Sequence, residues 1–172
     1  MAGPVLPARR RALRSLLTVS VAALAVFAGF WRGGGPGGGT EPPPYVFTAR
    51  VAWVIDGDTV ELDDGRRLRY VGIDTPERDE PFCNAARRAN IELVGRGEVL
   101  VQVCRDEPRD KYGRLLGWVS VDGLDVGAEL LGRGLARTLV IPPCGLERAG
   151  RYAAVESGAR SAGLGLWASS GR

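Results

Sequence analysis

The amino-acid sequence predicts a mainly β domain of the α+β class, in which five strands close into a small barrel and about three helices cover it. Three observations support this prediction. Two apolar-alternating runs, 59–63 and 66–72, flank an Asp-Gly turn and predict a hairpin. One helical pattern interrupts the series of five strand-like runs, and two more helical patterns follow the series. This order of elements fits a barrel of the OB type.

A leader and a linker are predicted before the barrel. Residues 1–32 predict a signal peptide or an N-terminal membrane anchor, because a basic head precedes an uncharged apolar run at 15–31. That run is long for a signal-peptide core and short for a membrane span of roughly 20 residues, so both alternatives stay open. Either one puts the rest of the chain outside the cytoplasm. The Gly- and Pro-rich residues 33–44 predict a linker, and the domain is expected over 45–169.

The predicted strands and the first helix come next along the chain. The strand-like runs cover 46–55, 59–63, 66–72, 98–104 and 114–121. A helix is predicted over 84–94, with Asn84 as its expected N-cap. Its inner face consists of apolar residues at helical spacing: Ala86, Ala89 and Leu93.

Two helices and a closing aromatic residue are predicted after the last strand. Asp125 is the expected N-cap of a second helix that runs to about Arg133. The chain from Leu135 to Val140 is expected to be extended, and a final helix is predicted over 146–162. The inner face of that helix is formed by residues at helical spacing: Tyr152, Val155, Ala159 and Ala162. Trp167 is expected to seal that end of the core.

Acidic residues and an arginine gather at one end of the predicted hairpin. Pairing about the turn at 63–65 sets Asp58 opposite Val71 and leaves Arg69 on the diagonal from Asp58. The acidic segment 74–77 leaves the hairpin from the same end. Acids set against an arginine at a strand end suit the binding of a cation and a phosphate better than they suit a core.

The composition limits the chemistry. The chain of 172 residues contains no histidine, which removes Ser/His and Cys/His nucleophile systems, imidazole bases and the usual zinc sites. Its formal charge is +3, but residues 1–34 hold five of the 23 basic residues and none of the 20 acidic ones. The remaining 18 basic and 20 acidic residues leave the rest of the chain at −2. A nucleic-acid-binding domain of this charge needs local arginines and a divalent cation.

The three cysteines are Cys83, Cys104 and Cys144. In a domain outside the cytoplasm, one disulfide and one odd thiol are the simplest arrangement of three cysteines. Spacing along the chain allows any of the three pairings. The sequence pattern therefore predicts a disulfide without assigning its partners.

From about residue 49 to residue 167 the chain resembles the staphylococcal nuclease (thermonuclease) domain. The resemblance covers nearly all of the predicted globular part, and its motifs occur in the family's order. They are Ile55-Asp56-Gly57-Asp58-Thr59, Arg69 five residues before Asp74-Thr75-Pro76-Glu77, Asp110-Lys111-Tyr112-Gly113-Arg114, Gly134-Leu135-Ala136 and Gly165-Leu166-Trp167.

The resemblance implies a calcium site and a general base. Asp58 and Asp74 are expected to hold Ca²⁺ through their carboxylates, with the backbone carbonyl of Thr75 as a further ligand. Oxygen ligands without nitrogen or sulfur suit Ca²⁺. Glu77 is the expected general base that activates or orients the attacking water, which agrees with the lack of histidine.

The resemblance also implies residues that bind the substrate. Arg69 and Arg114 are expected to grip the phosphate and to stabilise the charge that builds up on it as water attacks. Lys111 and Tyr112 are candidate phosphate contacts, with an exposed polar loop as the alternative. Asp56 is expected to support the calcium ligands from behind or to cap a turn.

Alignment to the family bears on the cysteines and on base binding. Cys104 and Cys144 fall on neighbouring loops beside the expected site, so a disulfide between them is expected to fix the segment that carries Arg114. Where the family's best-known member has base-stacking tyrosines, the alignment gives Val140 and Pro142. The base preference and the mode of cleavage therefore stay open.

The function implied by the resemblance is a Ca²⁺-dependent phosphodiesterase that acts on DNA and/or RNA. It is expected to cut the 5′ P–O bond, to leave 3′-phosphates, and to work outside the cytoplasm as a monomer, with membrane association through residues 15–31 as an option. Two alternatives stay open. One is a catalytically silent nucleic-acid-binding OB module, and the other is a Ca²⁺-dependent phosphodiesterase for a different substrate.

Overall fold

The computed structural model describes residues 45–95 and 97–168. The predicted leader and linker, residues 1–44, lie outside the described residues together with the apolar run at 15–31. Residue 169, the last of the predicted domain, lies outside them as well. Across the described ranges, no helix combines the length and the apolar character needed to cross a membrane.

The described ranges contain eight strands, three α-helices and two short 3₁₀ helices. The strands are β1 (Val46–Val54), β2 (Thr59–Leu62), β3 (Arg67–Tyr70), β4 (Ile73–Asp74), β5 (Glu98–Val103), β6 (Leu115–Val121), β7 (Leu124–Asp125) and β8 (Arg137–Thr138). The helices are α1 (Cys83–Val94), α2 (Val126–Gly132) and α3 (Ala149–Ser161), with 3₁₀ turns at Cys144–Leu146 and Gly165–Trp167.

Five strands close into a barrel, as the sequence predicts. Their order is β3-β2-β1-β5-β6, and a parallel pairing of β3 with β6 completes the circle. Alternate side chains of these strands point inward and are fully buried: Val60, Leu62, Leu68, Val99, Val101, Val103 and Leu115. β7 continues from β6, while β4 and β8 form a separate two-stranded sheet. The OB-type fold is therefore confirmed.

The register of the β2–β3 hairpin differs by one residue from the predicted register. Asp58 lies opposite Tyr70 rather than Val71, and the amide of Tyr70 donates to the carbonyl of Asp58 at 2.8 Å. The cause is the turn, which has three residues, 63–65, rather than the two of a simple Asp-Gly turn. Its last residue, Gly65, has φ of 83°, a left-handed conformation that glycine adopts without steric cost.

The first helix begins slightly earlier than predicted, and Asn84 is not its N-cap. The N-cap is Phe82, which has φ of 71° and makes no side-chain capping bond. The chain turns into the helix through this left-handed residue, so Asn84 already lies in the first turn. The inner face includes Ala86 and Ala89, as predicted, and also the fully buried polar residue Asn90.

The second helix has the predicted N-cap. The side chain of Asp125 accepts a hydrogen bond from the amide of Ala128 at 3.0 Å. The same carboxylate accepts from the hydroxyl of Tyr152 at 2.9 Å and pairs with Arg148 at 2.7 Å. One capping aspartate thereby joins α2 to α3.

The final helix is shorter than the predicted 146–162. The chain first makes the 3₁₀ turn Cys144–Leu146, and α3 starts after it. Tyr152 and Ala159 are buried as expected, whereas Ala162 follows the end of α3 and is exposed. The helix therefore covers the core with only part of the predicted face.

The segment between α2 and α3 and the closing aromatic residue also differ from expectation. Within the extended stretch predicted from Leu135 to Val140, only β8 pairs, and it pairs with β4. Trp167 is half-buried and lies outside the main core cluster. The guanidinium groups of Arg137 and Arg160 lie 4.6 and 3.9 Å from its ring centroid, so cationic groups rather than the core cover this indole.

Candidate active site

The site begins at the tight turn before β2. The carboxylate of Asp56 accepts the amide of Asp58 at 3.0 Å, which is the turn-capping alternative for this residue. A Cβ at Gly57 would lie 2.5 Å from the hydroxyl of Thr75 and 2.8 Å from Ala86, so only glycine permits this approach. Three elements therefore pack against one another: the turn that contains Gly57, the segment that follows β4, and helix α1.

Asp58 is the buried centre of this arrangement, with only 5% of its surface exposed. Its Oδ2 accepts the amide and the hydroxyl of Thr75 at 2.8 and 2.9 Å. Its Oδ1 accepts the hydroxyl of Thr59 at 3.2 Å and lies 3.1 Å from Nε of Arg69. Burial nevertheless raises the pKa of Asp58 to about 6; Arg69 opposes this shift and the charge of Asp56 adds to it.

Arg69 joins Asp58 to Asp74. Its Nη2 donates to Oδ1 of Asp74 at 2.8 Å, and its Nη1 donates to the carbonyls of Tyr70 and Ile73 at 2.8 and 2.9 Å. These three hydrogen bonds use three of the five N–H groups of the guanidinium, and Nε adds the ion-pair contact with Asp58 at 3.1 Å. Arg69 is therefore held rigidly between the two carboxylates that the sequence singles out.

The loop before β6 carries the second predicted arginine. Asp110 accepts the amides of Tyr112 and Arg114 at 2.9 and 3.0 Å and receives Nε of Arg114 at 2.7 Å. Partial burial of Asp110 opposes ionisation, but these hydrogen bonds outweigh it and lower the pKa of the carboxyl group. The terminal nitrogens of Arg114 make no hydrogen bond to the described residues, and Arg114 lines the adjacent cavity, so they are available to a ligand.

The closing pair of barrel strands brings the two arginines to one cavity. Because Arg69 lies opposite Leu116 in the β3–β6 pairing, Arg114 enters the same end of the barrel. The cavity holds about 430 Å³, and its polar and aromatic lining includes two acidic residues beside the basic ones: Arg69, Arg114, Lys111, Tyr70, Tyr112, Glu107 and Asp110. Its apolar wall includes Val71, Ile73, Leu116, Leu139 and Ile141. Val140 and Pro142, the positions expected from the alignment, are not part of this wall.

Glu77 stands apart from these contacts. It is exposed two residues after Thr75, and its amide donates to Oε2 of Glu80 at 2.9 Å. Its carboxylate contacts none of the other predicted site residues. Asp58, Asp74 and Thr75 are linked directly or through Arg69, but none of the three lines the cavity. The structure therefore places Asp58 and Asp74 in contact with Arg69, and Arg69 lines one cavity together with the second predicted arginine. Glu77 is exposed to solvent.

A disulfide forms one edge of the cavity. Cys104 and Cys144 are bonded, which is the pairing that the resemblance implies, and Cys83 is free. Cys104 follows β5 and Cys144 lines the cavity. The bond therefore ties the loop that leads to Arg114 to the wall that contains Leu139 and Ile141.

The sequence matches a known protein family. The family model described as "Staphylococcal nuclease homologue" matches residues 67–169 of the chain, more than half of its length. The chain belongs to the staphylococcal nuclease family. The matched segment includes both cavity arginines, Asp74 and Glu77, and it begins after Asp58.

Curated relatives in this family cover the same region. Endonuclease YncB of Bacillus subtilis is 36% identical over 126 residues, which are 68% of this chain and 60% of that protein. The SPbeta prophage-derived endonuclease YokF of B. subtilis is 34% identical over 126 residues, 68% of this chain and 43% of that protein. The thermonuclease of Staphylococcus intermedius is 37% identical over 102 residues, which are 54% of this chain and 60% of that protein. The chain thus spans about half of the length of these relatives.

The oxygen ligands predicted for the family's cation fit the local charge. Within the described ranges, no group of three or more His, Cys, Asp and Glu side chains could hold a metal ion by itself. Asp58 and Asp74, however, share the single positive charge of Arg69. Two carboxylates with one guanidinium leave one negative charge, so a cation added beside them would be stabilised electrostatically. With the carbonyl of Thr75, the ligand set consists of oxygen alone and suits a hard divalent ion.

The sequence did not reveal the roles of two supporting residues. Asp110 orients Arg114, and its position four residues before that arginine in a turn sequence was an available signal. Asn90 accepts the hydroxyl of Tyr70 at 3.0 Å and donates to the carbonyl of Asp56 at 3.1 Å. Its signal was a polar residue on the inner face of α1, where burial requires hydrogen-bond partners.

Proposed function

We propose that the chain is a Ca²⁺-dependent nuclease that hydrolyses phosphodiester bonds of DNA and/or RNA. The observation that carries the proposal is the cavity lined by Arg69 and Arg114, with Asp58 and Asp74 bound to the former. Two guanidinium groups at one hollow suit a phosphate that gains negative charge during attack by water. The printed names of the relatives, endonuclease and thermonuclease, support the same reaction class.

In this proposal the two arginines have different tasks. Arg69 is already fixed by three hydrogen bonds and an ion pair, so it offers its remaining N–H groups to a phosphate oxygen without reorganising. Arg114 keeps its terminal nitrogens free and supplies the bidentate contact. Glu77, exposed and without a side-chain partner among the described residues, accepts a proton from the attacking water. The Ca²⁺ held by Asp58, Asp74 and Thr75 would polarise a phosphoryl oxygen and offset the repulsion between substrate and acids.

The products and the location of the reaction belong to the same proposal. Cleavage of the 5′ P–O bond leaves 3′-phosphates, as the family resemblance implies. Action outside the cytoplasm agrees with the basic and apolar leader in residues 1–32 and with the disulfide, because disulfides persist in oxidising compartments. The protein is proposed to act as a monomer.

The test is hydrolysis of denatured DNA and of RNA by the full chain, with Ca²⁺ or with a chelator. Release of acid-soluble nucleotides only with Ca²⁺, and their 3′-phosphate ends, are the expected results. Glu77→Gln should remove most of this activity, whereas the control Glu98→Gln, an exposed glutamate at the start of β5, should leave it intact.

Three results would contradict the proposal. Tight binding of nucleic acid without cleavage would indicate the silent OB module. Chelator-sensitive hydrolysis of a simple phosphodiester, with nucleic acids left intact, would indicate another substrate. Full activity of the Glu77→Gln variant would remove the proposed base.

A further inference from the structure

A second hollow adjoins the active-site cavity at Arg114. It holds about 570 Å³ between the β2–β3 turn and the loop before β6. Four arginines, one tyrosine and two glycines line it, without an acidic residue among them: Arg66, Arg67, Arg109, Arg114, Tyr112, Gly65 and Gly113. We call it the arginine cleft. Tyr112 and Arg114 line both hollows, so the cleft and the cavity share a wall.

The carboxylates that pair with these arginines lie outside the lining of the cleft. The pairs are Arg114 with Asp110 at 2.7 Å, Arg66 with Asp64 at 2.6 Å and Arg67 with Glu61 at 3.6 Å. In the pairs of Arg67 and Arg114, the acid contacts Nε. Their terminal nitrogens have no protein acceptor within the part of the chain that the structure describes. These pairs therefore orient the guanidinium groups and leave their outer edges available to an anion.

Arg109 gives the cleft its excess of positive charge. It is exposed, its Nη1 donates to the carbonyl of Gly113 at 2.8 Å, and it forms no ion pair with any described residue. An overall basic protein would place arginines in hollows by chance. Here the chain after residue 34 has 18 basic and 20 acidic residues, so four arginines in one concave surface are a local concentration.

Tyr112 adds a surface for a base at the boundary of the two hollows. The residue is 72% exposed, and Arg114 and Lys111 lie 5.5 and 5.0 Å from its ring centroid. An exposed aromatic ring among cationic groups is a common device for binding single-stranded nucleic acid, because each base can stack and each phosphate can pair. A free phosphate would use the arginines but not the ring.

We propose that the arginine cleft binds the phosphodiester backbone of a single-stranded substrate next to the phosphate held in the cavity. This inference rests on the proposed function and deepens it, because it assigns a single strand as the substrate and a second site for the phosphates next to the one that is cleaved. The strand passes over Tyr112, with one phosphate between Arg69 and Arg114 and the neighbouring phosphates along Arg67 and Arg109.

The test is equilibrium binding of a labelled oligodeoxythymidylate of about 12 nucleotides, a length typical of OB-fold sites. The full chain is used with a chelator, so that binding is measured without cleavage. The variant is Arg109→Ala, and the matched control is Arg88→Ala, which removes another exposed arginine without an ion pair among the described residues. Arg109→Ala should weaken binding about fivefold or more and reduce the slope of log affinity against log salt by about 0.7. Arg88→Ala should change affinity less than about twofold.

A dinucleotide gives the second measurement, because it is too short to fill both hollows. Arg109→Ala should leave its affinity unchanged. Equal losses for Arg109→Ala and Arg88→Ala with the oligonucleotide would show attraction by general charge alone and overturn the inference. No loss with Arg109→Ala, or an equal loss for the dinucleotide, would overturn it as well. Unaltered thermal unfolding of both variants confirms that the fold is intact.

The result of this binding test can be distinguished from the result of the hydrolysis test of the proposed function. A chain that binds the oligonucleotide through Arg109 and hydrolyses no nucleic acid keeps this inference and refutes the proposed nuclease. A chain that hydrolyses DNA with Ca²⁺ but binds the oligonucleotide equally well after Arg109→Ala keeps the nuclease and refutes the cleft.

Discussion

Arg69 and Arg114 line the same cavity but stand in opposite surroundings. The side chain of Arg69 is 14% exposed and meets four protein acceptors, whereas that of Arg114 is 29% exposed and meets one carboxylate through Nε. The first belongs to the barrel framework, and the second is presented from a loop. Residues of one type with one predicted task can thus differ in what they contribute to folding.

The acids that pair with these arginines show the same contrast. Burial raises the pKa of Asp58 to about 6 in spite of its contact with Arg69. Asp110, in the loop, has a lowered pKa, because its hydrogen bonds outweigh the partial burial that opposes ionisation. A buried ion pair carries a desolvation cost that a partly solvated pair avoids. The framework pair is therefore the one whose disruption should be most costly.

The largest expected effect comes from Arg69→Ala. This change leaves Asp58 buried without its cationic partner and removes the link to Asp74, so the free energy of unfolding should fall by about 3 kcal/mol. Hydrolysis of DNA should fall by several powers of ten at the same time. Urea denaturation in the presence of a chelator measures the first effect, and initial rates with Ca²⁺ measure the second.

The control for this variant is Arg133→Ala, which breaks an exposed pair with Glu92. It should change the free energy of unfolding by less than about 1 kcal/mol. If Arg69→Ala unfolds at the urea concentration of the wild type, the framework role of this arginine is wrong.

Arg114→Ala should separate activity from stability. Loss of its free terminal nitrogens is expected to reduce the rate by roughly 10²–10³-fold, the range for removing one stabilising donor from a charged transition state. The free energy of unfolding should change by less than about 1 kcal/mol, because the pair with Asp110 is partly solvated. Rates and urea curves of the same preparation provide both values, with Arg105→Ala, an exposed arginine after β5, as the control. Near wild-type turnover of Arg114→Ala would refute its assignment.

The smallest expected effect is a pH dependence of the stability that Asp110 contributes in the loop before β6. Since the folded-state pKa of Asp110 lies below its ordinary value of 3.8, its contacts stabilise the fold fully above about pH 4. That contribution is lost as the pH falls through the lower, folded-state pKa. Asp110→Asn should therefore be less stable than the wild type at pH 7, by about 1 kcal/mol or less, and the gap should close below about pH 4.

Thermal unfolding across this pH range measures the gap. The neighbouring exposed Asp106 provides the control Asp106→Asn, for which little or no gap is expected at any pH. A gap for Asp110→Asn that stays constant down to pH 3 would show that the carboxylate charge is irrelevant to the loop.

Local patterns predicted most of the fold. Strand alternation located the five barrel strands, and the cap at Asp125 was confirmed in atomic detail. The predictions of register and helix start were wrong where a single residue decides between two backbone conformations of similar energy. Gly65 closes a three-residue turn and shifts the hairpin register by one, and Phe82 takes the left-handed position that starts α1 before Asn84. Such choices depend on turn energies that differ little, so a sequence pattern does not discriminate between them.

The candidate site was predictable as a set of residue types and less so as an arrangement. The motifs singled out both cavity arginines and the two aspartates that Arg69 joins. They did not identify Asp110 as the partner that orients Arg114, nor Leu139 and Ile141 as the apolar wall. These residues come from loops whose positions relative to the barrel are set by packing and by the Cys104–Cys144 bond.

The sequence by itself determined the barrel, the family, and the arginines and carboxylates that we propose to bind the phosphate and its cation in a chain that has no histidine. Only the tertiary structure decided which N–H groups of Arg69 and Arg114 remain free and that an arginine cleft continues the cavity. The physical reason is that a side chain's free donors are those left after its neighbours have been satisfied. The neighbours of Arg69 include Asp58 before β2 and Asp74 on β4, whereas Arg114 pairs with Asp110 of its own loop, and barrel closure between β3 and β6 brings the two arginines together.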